Sequence, residues 1–181
     1  MVEEMKLGRP EPNEYAPYYA GYIALVPGDD AVAALEAQRL HMMQMLSARS
    51  EREGNFRYGA DKWSVKEVLG HMADAERVFT YRAMRIGRGD QTPLPGFEQD
   101  DYVKNGGFGD RKLADLAEEF AAIRGASIAL FRSLNDAAWM RRGTASGKEV
   151  SVRALAFMTA GHELHHQRIL DERYFAAIPR A

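Results

Sequence analysis

The sequence predicts an all-α protein built as a four-helix bundle. Four segments of roughly 20 residues carry apolar side chains at the three- and four-residue spacing of an amphipathic helix. No segment shows the alternating pattern of a β-strand. Helices of this length, each with one apolar face, are expected to bury those faces against one another in a bundle.

The first two helices have clear start signals. Asp29 or Asp30 can cap the first helix, which is predicted to run to about Ser50. The second helix follows Ser64, which lies three residues before Glu67, the spacing of a capping box. A capping box satisfies backbone amides at the helix start, so it predicts the beginning of this helix closely.

The third helix is predicted from about Asp110 to Leu134, after a long connection rich in Gly, Pro and Asp. Within that connection the residues 97–103 are compatible with a helical turn. Ser151 is a plausible N-cap for the fourth helix, which is predicted to continue to about Tyr174.

The domain organisation is predicted as one bundle with an N-terminal arm. Residues 1–28 are rich in tyrosine and proline, which is too apolar for disorder and too interrupted for a long helix. We therefore expect an ordered arm that packs on a bundle domain formed by residues 29–181.

The composition excludes several classes of partner. The net charge is -2 with the two signs interleaved, so no basic stripe indicates nucleic-acid binding. No apolar run approaches the roughly 18–20 residues that cross a bilayer, and the N-terminus lacks a secretion signal. A cytoplasmic protein without nucleic-acid or membrane partners is expected.

The absence of cysteine limits the chemistry further. With 0 cysteines, the chain has neither thiolate ligands nor a cysteine nucleophile. Any metal must therefore be bound through nitrogen and oxygen donors. Any reacting thiol would have to arrive as a substrate.

Three of the five histidines lie in the segment GHELHHQRIL of the fourth helix. His162 and His166 are one helical turn apart on the apolar stripe, whereas His165 is turned away by about 100°. Two imidazoles at this spacing form half of a metal site and need a third ligand. His71 on the second helix is the first candidate and His41 on the first helix competes with it. The alternative is a polar stripe that binds no metal.

Two segments together resemble a known family. WSVKEVLGHMADAE and, late in the chain, GHELHHQRIL are similar to motifs of the DinB-like superfamily, which includes bacillithiol- and mycothiol-linked transferases. The resemblance covers about residues 30–175. It implies a four-helix bundle in which His71, His162 and His166 hold a divalent metal, and it makes a homodimer the expected assembly.

The predicted site suggests a metal-dependent enzyme that acts on a small molecule. Three imidazoles leave a coordination position open, and Zn²⁺ or Ni²⁺ accepts such ligands. The reaction would be thiol S-transfer, with a low-molecular-weight thiol as cosubstrate, or hydrolysis. Asp74 and Glu163 are candidate catalytic acid–base residues, although each can also be a solvated helix charge. The alternative is a non-catalytic metal-binding or stress-associated bundle protein whose metal is structural or absent.

Other polar residues near the predicted site have two interpretations each. Arg77, Arg82 and Arg168 can bind an anionic substrate or lie in surface ion pairs. The tyrosines of the arm can cover the mouth of a pocket or simply pack the arm on the bundle; they are Tyr15, Tyr18, Tyr19 and Tyr22.

Overall fold

The computed structural model describes residues 8–178. Within these residues lie eight α-helices, in chain order α1 (Ala20–Leu25), α2 (Ala31–Ser47), α3 (Glu51–Gly54), α4 (Val65–Gly87), α5 (Gln99–Asn105), α6 (Leu113–Arg132), α7 (Asp136–Trp139) and α8 (Val152–Ile169). Short 3₁₀ turns span Pro12–Glu14, Pro17–Tyr19 and Phe108–Asp110, and a π-helical turn at Leu170–Phe175 extends α8. The predicted all-α bundle is confirmed.

Side-chain caps fix the starts of three long helices. Asp30 accepts a hydrogen bond of 3.0 Å from the third amide of α2, and Ser151 accepts one of 2.9 Å at the start of α8. At α4 the Ser64 hydroxyl accepts from the Glu67 amide at 3.2 Å, while the Glu67 carboxylate accepts from the Ser64 amide at 2.6 Å. The predicted capping box and N-caps are confirmed.

The four long helices form a ring in the order α2, α6, α4, α8, because α4 packs against α6 and α8, and α2 packs against the same two. Two apolar clusters fill the two ends of the bundle. α2 and α8 run from the first cluster to the second, whereas α4 and α6 run the opposite way. The connection between Gly87 and Leu113 therefore passes along the length of the bundle, and α4 and α8 are neighbours of opposite direction.

Polar side chains separate the two apolar clusters. On each long helix, buried polar side chains lie near the point where the residues of one cluster give way to those of the other. The buried members of this polar layer are Gln38, His71, Glu76, Arg124, His162 and Glu163. Burial of so many polar groups in a core is costly unless they have partners, so this layer is where a functional site is expected.

A short β-hairpin precedes α8, and the expectation of a chain without strands was wrong there. β1 (Arg142–Ala145) pairs antiparallel with β2 (Lys148–Ser151). Ser146 and Gly147 form the turn with φ of 52° and 72°, so two residues reverse the chain. Leu94 bridges to β1 and fixes the long connection against the hairpin. Each strand has only four residues, which is too few for an alternation of apolar and polar side chains to be recognised in the sequence.

The described part of the arm contacts α8 through α1. The Arg9 guanidinium donates to the backbone carbonyls of Val26 at 2.8 Å and Gly28 at 2.6 Å, which closes the arm into a loop. Residues 1–7 of the predicted arm lie outside the described residues, and the division at residue 28 stays a prediction. Among the described helices, none is long and apolar enough to span a bilayer.

Candidate metal centre

His71 is placed by the second turn of α4 and is buried, with 3% of its surface exposed. The ring of Trp63, just before the helix, lies 4.9 Å from the His71 ring, centroid to centroid. Gly70 permits this packing, because a Cβ at that position would overlap the Phe108 ring. Trp63 therefore packs on the imidazole, while Phe108 packs on the neighbouring residue of α4.

α8 supplies His162 and His166, one turn apart. The Nε2 atom of His162 lies 3.1 Å from Nε2 of His71 and 3.2 Å from Nε2 of His166. One ligand atom from each of the three residues lies within 4.8 Å of the other two. The structure thus brings together the three histidines that the sequence predicted as ligands.

These nitrogen atoms fit a divalent cation. Two nitrogens at about 2.0–2.1 Å from a tetrahedral zinc ion lie roughly 3.3 Å apart, which is close to the two short spacings seen here. The central Nε2 of His162 carries either one proton or one lone pair in the ring plane, so it can form a well-directed hydrogen bond with only one of its two neighbours. A cation that accepts all three lone pairs removes this conflict.

The electrostatic environment keeps the imidazoles neutral. Burial lowers the pKa of His71 to about 4, against the opposing effect of the Asp100 carboxylate. Burial, with the charges of His71 and His165 adding to it, lowers the pKa of His166 to about 3. Burial also holds the pKa of His162 well below its ordinary value. Neutral imidazoles offer the free lone pairs that a metal requires.

A cavity of about 400 Å³ opens onto His71 and His162. Its remaining lining comes from α1 and the turn before it, from α4, from the segment 96–100 and from Ser146 in the hairpin turn. The aromatic members of the lining are Tyr18, Tyr19, Tyr22, Phe79 and Phe97. This cavity gives a small molecule access to the histidine cluster.

Tyr22 positions α1 over the cluster. Its ring lies edge-on to the His162 ring at 5.6 Å and tilted to the His165 ring at 5.0 Å, between centroids. Its backbone carbonyl lies against Gly161, where a Cβ would overlap it. Three of the arm's tyrosines therefore line the cavity, as one of the two sequence hypotheses expected.

The two carboxylates predicted as catalytic lie outside the cavity lining. Asp74 accepts a hydrogen bond from Arg77 at 3.2 Å, and partial burial raises its pKa. Glu163 is buried rather than a solvated helix charge, with 2% of its surface exposed, and forms an ion pair with Arg124. Burial raises the Glu163 pKa to about 7 although Arg124 opposes the shift. Their catalytic roles stay predictions.

The other candidate residues from the sequence lie outside the histidine cluster. His41, the competing third ligand, is exposed on α2 and is not part of the cluster, and His165 is half-buried beside Tyr22. Arg77 pairs with Asp74 at 3.2 Å and with Glu119, and Arg168 pairs with Glu172 on the surface at 2.7 Å.

Arg82 is buried, with 3% of its surface exposed. Its guanidinium donates to the Pro95 carbonyl at 2.7 Å and to the Ser146 hydroxyl at 3.0 Å. These bonds tie α4 to the long connection and to the hairpin turn. The side chain predicted as a possible anion ligand therefore has backbone and hydroxyl partners inside the protein.

The fold and the cluster define a class of protein, a four-helix bundle with a histidine triad contributed by two neighbouring helices. A family model of the DinB superfamily matches residues 34–170, and the chain belongs to this superfamily. No curated protein sequence matches the chain closely enough to serve as a relative.

Solved structures share the fold. YfiT from Bacillus subtilis, described as a probable metal-dependent hydrolase with an unusual four-helix bundle topology, is 16% identical with a TM-score of 0.66, over 91% of each chain. A mycothiol-dependent maleylpyruvate isomerase is 15% identical with a TM-score of 0.65. That match covers 82% of this chain and 63% of the isomerase. At these identities the likeness establishes the fold and not the reaction.

Proposed function

We propose that this protein is a metal-dependent enzyme that acts on a small molecule, with the cation held by His71, His162 and His166. The observation that carries the proposal is the contact of three buried or half-buried Nε2 atoms beside a cavity of about 400 Å³. Cavities of this size suit small ligands, and convergent imidazoles at their base are typical of a reactive centre.

The chain contributes binding and orientation. α4 and α8 hold the three imidazoles, and aromatic side chains line the cavity beside them. A divalent cation bound there would lower the pKa of a water or thiol toward neutrality. Imidazole ligands accept both Zn²⁺ and Ni²⁺, and these two ions are the proposed cofactors.

The reaction is proposed to be hydrolysis or thiol S-transfer. YfiT is described as a probable metal-dependent hydrolase, and the similar isomerase is described as mycothiol-dependent. Because this chain has no cysteine, S-transfer here would use a low-molecular-weight thiol as cosubstrate. An acid–base role of Asp74 or Glu163, as predicted from the sequence, would require water or a side-chain movement since neither lines the cavity, and the proposed metal centre does not depend on it.

One observation favours a second candidate, a non-catalytic metal-binding bundle protein. The two carboxylates predicted from the sequence as acid–base residues are held by Arg77 and Arg124 instead of facing the cavity. A metal in such a protein would only stabilise the bundle. Turnover of any substrate that is lost on chelation and restored by added metal would exclude this candidate.

A homodimer and a cytoplasmic location are proposed on the resemblance and the composition alone. Light scattering on the purified chain tests the homodimer, with a monomeric mass as the contradicting result. No nucleic-acid or membrane partner is proposed, since the charges of opposite sign are interleaved along the chain.

The metal content of purified variants tests the ligand set. We expect one divalent ion per chain in the unmodified protein and at least about tenfold weaker retention in His166→Ala, because one of three ligands is lost. His41→Ala is the matched control, since His41 is an exposed histidine outside the cluster. Full stoichiometry in His166→Ala would exclude this ligand set.

An activity screen distinguishes the two reaction types. Ester, amide and electrophilic test substrates are incubated with the metal-loaded protein, with and without a panel of low-molecular-weight thiols. Turnover without thiol supports hydrolysis, and thiol-dependent loss of the electrophile supports S-transfer. In either case chelation must abolish turnover, because the proposed centre requires the cation.

A further inference from the structure

We infer that the substrate of the cavity carries an anionic oxygen group, such as a carboxylate, at the end remote from the histidines. The inference rests on the proposed function, since it names the substrate class of the same site. The anionic group would accept hydrogen bonds from the hydroxyls of Tyr19 and Ser146, which both line the cavity. The guanidinium of Arg82, behind these hydroxyls, would supply the positive charge.

Arg82 is a buried cation without a carboxylate partner. It is 3% exposed, and no ion pair of Arg82 occurs within residues 8–178. Its guanidinium donates to the Pro95 carbonyl, the Ser146 hydroxyl and the Tyr19 hydroxyl. These neutral partners satisfy hydrogen bonds but leave the buried charge uncompensated, which is costly. The buried Arg124, by contrast, contacts two carboxylates.

The hydroxyls of Tyr19 and Ser146 keep their own protons for a ligand. A guanidinium has no lone pair to offer, so both oxygens accept from Arg82 and neither hydroxyl can donate to it. Burial raises the pKa of Tyr19 although the Arg82 charge opposes the shift, and the phenol therefore stays protonated at neutral pH. No acceptor for either proton occurs among the residues that the structure describes. Two O–H donors that lean on one cation are suited to an anionic oxygen.

A smaller cavity lies directly beside the guanidinium. It has a volume of about 20 Å³, is lined by Arg82, and shares Tyr19 and Ser146 with the larger cavity. That volume holds about one water molecule. The Glu149 carboxylate also lines it, but this carboxylate pairs with Arg142 at 2.6 Å. A ligand oxygen that contacts the two hydroxyls would therefore lie next to the uncompensated charge.

The two hydroxyls and the histidines lie on either side of Phe79. The Phe79 ring is 5.7 Å from the His162 ring and 6.1 Å from the Tyr19 ring, between centroids. On α4, Arg82 lies three turns beyond His71, about 16 Å along the axis at about 1.5 Å per residue. A substrate that reaches both ends would therefore have a ring or a short carbon chain between its reacting group and its anionic group.

The other charges of the cavity are compatible with an anion. A divalent cation at the histidines and the Arg82 guanidinium would both attract one. Glu98 and Asp100 also line the cavity, but both are exposed, where water screens them. Asp100 acts on the pKa of His71, whereas burial lowers the pKa of Arg82 and only Tyr19 is found to oppose that shift within the described residues.

Probes that differ only at the remote end test the anion preference. The monohydroxamates of adipic, pimelic and suberic acids carry a metal-chelating group at one end and a carboxylate at the other. The matched probes carry a neutral carboxamide in place of that carboxylate. On the metal-loaded full chain, calorimetry is expected to give the best carboxylate probe about tenfold tighter binding than its carboxamide. Equal affinities, tighter binding of the carboxamide, or no binding of any probe overturns the inference.

Substitutions locate the preference. The double variant Tyr19→Phe, Ser146→Gly is expected to bring the carboxylate probe within about threefold of its carboxamide. Glycine suits the φ of 52° at residue 146, so the hydroxyl is removed without strain in the turn. Tyr18→Phe is the matched control, because Tyr18 lines the same cavity but its hydroxyl lies 3.3 Å from that of Tyr22. An undiminished preference in the double variant, or an equal loss in the control, would overturn the assignment to these hydroxyls.

The metal content of the same samples separates this inference from the proposed function. Bound metal together with equal affinities of the two probes refutes the anionic substrate class and leaves the metal centre intact. Absence of metal at the histidines refutes the proposed centre. The ratio of the two affinities then still measures the remote end, because both probes share the same hydroxamate group.

Discussion

Arg124 and Glu76 form a two-point ion pair in the interior of the bundle. Nε lies 2.8 Å from one carboxylate oxygen and Nη2 lies 2.7 Å from the other. The same guanidinium contacts Glu163 on α8 and donates a hydrogen bond to the side-chain amide oxygen of Gln38 on α2 at 3.3 Å. One side chain of α6 therefore links all four long helices at the level of the histidines.

Loss of this guanidinium should destabilise the fold strongly. Arg124→Met leaves two buried carboxylates without their counterion, and breaking a buried pair in this way costs about 3–5 kcal/mol. Urea denaturation measures the free energy of unfolding. Arg132→Met is the control, because the Arg132–Glu36 pair is largely exposed and should contribute no more than about 1 kcal/mol. Equal losses in the two variants would contradict a central role for Arg124.

The metal-free protein should lose stability as the pH falls below about 6.5. The pKa values of His71 and His166 lie at about 4 and about 3, whereas the unfolded chain takes up these protons near 6.5. In between, the unfolded state binds more protons, so acidification favours unfolding by about 1.4 kcal/mol per pH unit for each histidine. This contribution is complete above about 6.5 and is lost as the pH falls toward about 4 for His71 and about 3 for His166.

Glu163 acts in the opposite direction, because its folded pKa of about 7 exceeds that of the unfolded chain. Glu163 is a single group, whereas His71 and His166 both act in the other direction. The free energy of unfolding is therefore still expected to be higher at neutral pH than in acid. Denaturation of the chelated protein at several pH values between about 7 and 5 measures the slope. His71→Gln should reduce it, and an unchanged slope in that variant would show that His71 does not contribute.

Local sequence signals were sufficient for the starts of the long helices and for the pairing of two of the three clustered histidines. Ser64, Glu67 and Ser151 mark helix starts through bonds between residues three apart, which the sequence displays directly. His162 and His166 on α8 are only four residues apart, so the sequence also displays their pairing directly. The third ligand depended on α4 and α8 being neighbours, which the resemblance implied and which spacing alone left open between His71 and His41.

The polar layer and the cavity depended on tertiary structure. Arg124 lies four residues after Phe120 and therefore on the apolar face of α6. This position is the one local signal in the sequence that indicates its burial. Its partners on α2, α4 and α8 are more than 35 residues away in sequence, at separations of 86, 48 and 39 residues for Gln38, Glu76 and Glu163. The acids of the segment 96–100 reach the cavity only because the connection runs along the bundle.

The contact between α1 and α8 should be sensitive to one methyl group. Gly161→Ala places a Cβ against the Tyr22 carbonyl, a backbone atom that can yield only if α1 moves. We expect a loss of about 1–3 kcal/mol of stability and faster chymotrypsin cleavage at the arm tyrosines. Metal content should be retained, because the three imidazoles are unaltered.

Gly21→Ala is the matched control for that change. Gly21 also lies in the contact region, on α1, but a Cβ there meets nothing within 4 Å. Alanine at a helical glycine should be neutral or stabilise the protein by about 0.5–1 kcal/mol. If Gly161→Ala behaves as Gly21→Ala does, the close approach of α1 to α8 is not present in solution.

The catalytic prediction for Asp74 and Glu163 can be decided once a substrate is found. General acid–base groups contribute about 10²–10⁴-fold to turnover, whereas Asp74 lies outside the cavity lining and pairs with Arg77. We therefore expect Asp74→Asn to lower kcat by less than about tenfold, as should Glu119→Gln, which removes the other carboxylate on Arg77. A loss of 100-fold or more in Asp74→Asn alone, with a changed pH profile, would establish the predicted role.

Glu163→Gln tests the acid–base role predicted for the second carboxylate. The amide keeps the shape of the side chain but removes a buried negative charge beside Arg124, so Glu76 becomes the only counterion of the guanidinium. Because the raised pKa of Glu163 shows that its ionised form is costly to bury, the variant should fold with little loss of stability. Metal retention with kcat within about tenfold of the unmodified protein is expected, and a loss of about 10²-fold or more at full metal content would show that Glu163 transfers a proton.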